Sequence, residues 1–169
     1  MYPYPTDPAL CVKLFHAVDP GDADGARIAH YRARKIAAVC GLGLNLGDQF
    51  VLPQSAVHDA KRHTVGFLMR RVPIGFHKFM QFLQPQFRTS HTIGLKEVVE
   101  FYARLFEDLG IIHGKGLVIG DVNMGCLLFT PKLDRAWVDT DSWSYPGFPC
   151  VATTELFAHP DLFPNLSST

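Results

Sequence analysis

Residues 95–109 carry the pattern that most constrains the fold: Leu95, Val98, Val99, Tyr102, Leu105, Phe106 and Leu109 recur at helical spacing. Apolar residues at i, i+3, i+4 and i+7 line one face of an α-helix, and such a face is stable only when covered. Glu97 and Glu100 fall in the early turns, where the helix dipole favours acids, and Gly110 is placed to end the helix. The spacing predicts a helix over 95–109 seated on a core through this face.

Elsewhere the pattern alternates between strand and helix. Residues 9–15 are an apolar run broken only by Lys13, which reads as a buried strand. Asp19-Pro20-Gly21-Asp22 is a turn, after which Asp24 is expected to cap a helix reaching about Cys40. Ile28, Ala29, Ile36, Ala37 and Cys40 give that helix its apolar face; Arg27, Arg32, Arg34 and Lys35 give it a solvated one. Residues 49–58 and 63–72 are expected to pair as a hairpin across Asp59-Ala60-Lys61-Arg62. A short helix is predicted over 76–83, before Pro85. Short apolar runs follow at 117–119, 127–129 and 136–138, and the proline-bearing remainder from Ser142 onward reads as loop.

Composition removes several function classes. With 16 Lys+Arg against 16 Asp+Glu the chain is formally neutral and has no basic run, which argues against a dedicated nucleic-acid binder. No apolar run approaches the roughly 20 residues that span a bilayer, and residues 1–8 lack the features of a signal peptide. Cys11, Cys40, Cys126 and Cys150 form no CxxC pair, so they are expected to be reduced thiols in a cytoplasmic protein.

Two aspartates at the ends of apolar runs carry the candidate chemistry. Asp121 follows Val118-Ile119-Gly120 and leads into Val122-Asn123-Met124-Gly125-Cys126; Asp139 lies in Trp137-Val138-Asp139-Thr140-Asp141-Ser142. Each run could aim a carboxylate into a cleft, and each aspartate also suits an ordinary turn. Read together with the helix before them and the His113-Gly114-Lys115-Gly116 turn, they resemble the catalytic segment of protein kinases. The likeness is to bacterial kinase-like proteins in which GDxN replaces HRDxK and a VDTDS stretch replaces DFG. Thr153-Thr154-Glu155-Leu156-Phe157-Ala158-His159-Pro160-Asp161-Leu162 resembles a motif that follows the activation segment in that group.

The resemblance implies an α+β, protein kinase-like fold, with a small β-rich N-lobe over 1–72 and a shortened helical C-lobe over 73–169. It implies ATP and Mg2+ as cofactors and phosphoryl transfer to Ser/Thr hydroxyls. Lys13 would grip the ATP phosphates, and Met69, Arg70 and Arg71 would form the segment beside adenine. Asp121 would be the catalytic base, Asn123 a γ-phosphate contact, and Asp139 the metal ligand. Cys126 takes the place of the asparagine that usually completes the magnesium site, and a thiol is a poor ligand for that hard cation. No acid occurs between Arg27 and Asp48, so the usual helix partner of Lys13 is missing unless Asp22 or Asp24 near the helix start substitutes, and nothing in residues 1–10 resembles a glycine-rich loop. A pseudokinase, binding nucleotide or protein with little transfer, is therefore the alternative. Apart from the resemblance, Lys13 reads as a snorkelling edge residue and the whole as a small α+β interaction domain. The expected partners are a nucleotide and a protein substrate, or a partner or second copy covering apolar surface, with neither nucleic acid nor membrane.

Overall fold

The computed structural model describes residues 1–19, 21–120 and 123–150. Asp121, Thr153, Thr154 and the 153–162 motif lie outside the described residues. The chain has a mixed α+β fold divided into two compact units, Met1–Ile74 and Gly75–Thr169. Among the described residues, no helix is long and apolar enough to cross a membrane.

The first unit is a four-stranded antiparallel sheet with one long helix. Strands β1 (Tyr2–Tyr4), β2 (Asp7–Leu14), β3 (Pro53–His58) and β4 (Thr64–Arg70) lie in the order β1-β2-β4-β3. The expected 9–15 strand is β2, the expected hairpin is β3–β4, and β1 is an added edge strand with Pro3 at its centre. Residues 49–52 precede β3 rather than extending it, although Phe50 and Val51 are buried. Asp59 closes the β3–β4 turn by accepting from the backbone N–H groups of Lys61 and His63, both at 2.8 Å.

Helix α1 (Ala23–Gly41) packs on β3 and β4. Its cap is Asp22, not Asp24: Asp22 is extended (φ −91°) and its Oδ1 accepts from Gly25 N at 2.9 Å. Asp24 instead sits in the first turn, 3.2 Å from Arg27. The inner face also differs from expectation. Ile36 and Val39 are buried with Lys35, which is only 4% exposed, while Ile28 and Ala37 face out. The aliphatic stem of lysine lets the face turned to the sheet run through position 35.

The second unit surrounds an aromatic core. It contains β5 (His77–Lys78), α2 (Phe79–Phe82), α3 (Pro85–Ser90), α4 (Leu95–Gly114), β6 (Leu127–Phe129) and β7 (Arg135–Trp137). The three strands form an antiparallel sheet in the order β5-β6-β7. Phe82 lies 4.4 Å from Phe101 and 5.1 Å from Phe129, ring centre to ring centre. The predicted 76–83 helix shrinks to α2 because His77 and Lys78 pair with β6. Pro85 starts α3, since its fixed φ and missing N–H suit a first helical turn. The 117–119 run holds only a single bridge, Val118 to Ser144.

Helix α4 outruns its predicted end and turns a different face inward. It passes through Gly110 and stops at Lys115, with Gly116 left-handed at φ 69°. Burial of Ile112 supplies the reason, since the core contact continues past the glycine. The buried face holds Phe101, Asp108 and Ile112, whereas Leu95, Val99, Tyr102 and Phe106 of the predicted core face are exposed.

Candidate functional site

In the first unit, Lys13 is positioned by the β2–β4 ladder. It lies opposite Phe67, with Nζ 5.8 Å from the centre of that ring. The neighbouring Gly66 lets the strands approach: a Cβ there would sit 2.3 Å from the Lys13 carbonyl oxygen. Met69 pairs with Cys11 and is buried, so it packs within the sheet. Arg70 ends β4 opposite Leu10, and its guanidinium donates to the carbonyl of Asp48. Arg71 donates its backbone N–H to Ala9 at 2.7 Å. These bonds tie the chain leaving β4 to the loop before β3 and to the start of β2.

Arg70 also lines a cavity of about 390 Å³ with Cys40, Asn45, Asp48 and Phe50. Burial pushes the Cys40 thiol above its ordinary pKa, so it is protonated at neutral pH. Burial does the same to Cys11, partly offset by the Arg71 charge.

In the second unit, the loop following Asp121 and the strand leading to Asp139 are joined by backbone bonds. Asn123 Oδ1 accepts from Gly125 N at 2.8 Å, making an Asx turn, and its carbonyl accepts from Cys126 N at 3.1 Å. The Cys126 carbonyl accepts from Val138 N at 2.8 Å, one residue before Asp139. Asn123, Cys126 and Asp139 are thus gathered at one end of the β6–β7 hairpin. The Cys126 side chain is only 2% exposed. Gly120 admits no side chain, because a Cβ would fall 2.1 Å from that of Cys150.

Asp139 is exposed and left-handed, with φ 55° and ψ 31°. This region is uncommon for a non-glycine residue, although aspartate adopts it more readily than most, and Arg62, Thr92 and Leu133 share a positive φ. Ser142 donates to the Asp139 carbonyl through both N, at 3.0 Å, and Oγ, at 2.7 Å. Next to it, Thr140 is buried and its carbonyl accepts from Tyr145 Oη at 2.9 Å. The result is a carboxylate held outward on a buried turn.

Beneath that turn lies a residue the sequence pattern did not single out. Asp108, fully buried on α4, accepts from Arg135 Nη2 at 2.9 Å, Arg135 Nε at 2.5 Å and Trp137 Nε1 at 2.8 Å. It anchors both ends of β7, the strand that delivers Asp139. Its spacing to Phe101 and Ile112 on the same face was the available signal.

The donor set suits magnesium in part. Mg2+ favours oxygen and is commonly held by one or two carboxylates together with phosphate oxygens and water. Asp139 offers such an oxygen; the buried, soft thiol of Cys126 does not. In comparisons with known proteins, no family model and no curated protein matches the chain.

Proposed function

We propose that the chain is a protein kinase-like nucleotide-binding protein that transfers phosphoryl groups from ATP to Ser/Thr hydroxyls. The observation that carries this reading is the exposed, left-handed Asp139, held at a hairpin end against the loop that follows Asp121. The bonds of Ser142 to its carbonyl fix the backbone from which that carboxylate projects. The element order adds support: a lysine-bearing strand, a helix, a hairpin, a helix, and then two aspartate-bearing segments.

In this reading each residue has a separate task. Lys13, lifted from the sheet beside Phe67, neutralises and orients the phosphates. Asp139 would hold magnesium through its carboxylate, and the ion would supply positive charge to offset that of the phosphates. Asp121 orients the acceptor hydroxyl and takes its proton. Asn123, whose Oδ1 is engaged by the turn, has its amide NH2 to offer to the γ-phosphate. Met69, Arg70 and Arg71 form the adenine-side segment.

Buried Cys126 and buried Lys35 favour a second reading, a pseudokinase that binds nucleotide without transfer. Cys126 puts a thiol where a magnesium-binding amide is expected. On α1 the inward polar side chain is a cation, Lys35, and not an acid that could hold Lys13.

Thermal unfolding with ATP, with and without Mg2+, tests both. Ligand at a hundred times its Kd should stabilise the protein by about 2.7 kcal/mol. A magnesium-dependent shift that Asp139→Asn removes supports the site, and phosphoryl transfer to a Ser/Thr peptide then separates enzyme from pseudokinase. A cooperative melt insensitive to nucleotide refutes both and leaves an interaction domain.

A further inference from the structure

Helix α4 presents a second apolar face, next to the one it buries. Leu95 is 79% exposed, Val99 61%, Tyr102 39% and Phe106 72%. At spacings of four, three and four residues they make one continuous stripe, about 16 Å long at 1.5 Å per residue. Single exposed apolar residues are ordinary on a protein surface, but a contiguous row marks a contact.

The geometry points to a second copy of this chain as the occupant, with two α4 helices paired antiparallel across a two-fold axis. The spacing reads the same in both directions, so one helix docks on another by symmetry alone. A two-fold between Glu100 and Phe101 sets Leu95 against Phe106 of the second copy and Val99 against its Tyr102. The charges beside the stripe fit the same arrangement. Lys96 and Glu107 lie on one flank, about 20° apart around the helix at 100° per residue. The two-fold brings Lys96 of each copy to Glu107 of the other. Parallel pairing would instead carry this flank to opposite sides of the seam, where neither charge meets its counterpart. Ala103 and Gly110 lie between the stripe and these charges, where small side chains permit close approach. A contact of this length sits at the small end of specific interfaces, below roughly 1,200 Å², so the pairing is reversible.

Sedimentation equilibrium of the 169-residue chain between about 1 and 100 μM tests this directly. A monomer–dimer equilibrium is expected. Phe106→Glu should weaken it at least tenfold, with helicity unchanged by circular dichroism; Val99→Glu serves if the first variant folds poorly. Lys96→Glu alone should weaken it, and the Lys96→Glu/Glu107→Lys pair should restore it. A monomer at every concentration overturns the proposal and leaves the stripe to a different chain. A dimer indifferent to Phe106→Glu and Val99→Glu, or one that the charge swap fails to rescue, overturns it equally. None of these residues belongs to the proposed nucleotide site, so nucleotide binding and dimerisation can fail independently.

Discussion

Each long helix carries one charge into the interior, and the two charges are held differently. Asp108 on α4 is fully buried and accepts hydrogen bonds from Arg135 and Trp137, both on one short strand. Lys35 on α1 is buried to a similar degree and brings a long aliphatic stem to the buried face of its helix. A carboxylate on a short side chain has no such stem, so its burial depends wholly on donors brought to it. Asp108 therefore acts as a joint between helix and strand, while Lys35 adds the apolar length of its stem to the buried face of α1.

The largest expected effect breaks the Asp108 joint. Asp108→Ala strands the Arg135 guanidinium and the Trp137 indole N–H, at a cost of about 3–5 kcal/mol. The protein's two tryptophans, Trp137 and Trp143, both lie in the second unit, so their fluorescence reports its denaturant midpoint. An unchanged midpoint would show that the carboxylate is dispensable. The matching change on α1, Lys35→Met, keeps the stem and should cost about 1 kcal/mol by far-ultraviolet circular dichroism. A loss equal to that of Asp108→Ala would erase the distinction and make Lys35 a joint as well.

Smaller effects compare how the two helices begin. Asp22 caps α1 directly, so Asp22→Ala should cost about 1 kcal/mol. Gly94 starts α4 with no side chain, and Glu97 reaches back to its N–H at 2.9 Å. Glu97→Ala should cost about 0.5 kcal/mol, measured by urea denaturation, and a larger loss would reverse the ranking.

The smallest effect concerns pH. The His63 backbone N–H, seconded by that of Lys61, holds the Asp59 carboxyl below its ordinary range. A depressed folded pKa contributes stability present above the ordinary carboxylate range and lost as pH falls through the folded value. The His63 amide resonance should therefore titrate below the ordinary aspartate range, and Asp59→Asn should abolish that titration. A midpoint at or above that range would mean the turn does not stabilise the charged form.

Both long helices, the β3–β4 hairpin and the strand of Lys13 were legible in sequence because each follows a simple period. The faces were harder to read. In α4 the apolar residues cover so wide an arc that periodicity cannot choose between Phe101 with Ile112 and Leu95 with Phe106. The packing of Phe82 and Phe129 on Phe101 makes the choice, and those partners are distant in sequence. Asp108 escaped notice because a charge on a buried face is explained only by Arg135 and Trp137. Asp139 was legible as a position, but its left-handed backbone depends on Ser142 and on the buried Thr140. Neither β1 nor α3 announced itself, since proline is read first as a breaker.

Proline also determines what the sheet of the first unit can do at its borders. Its outermost strands are β1, with Pro3 at its centre, and β3, which begins at Pro53. A residue without an N–H cannot extend a hydrogen-bonded ladder, so both rims are poor templates for an incoming strand. Fibrillar growth by strand addition is thereby disfavoured at either rim, and crowding of this chain should favour contacts between side chains over contacts between backbones.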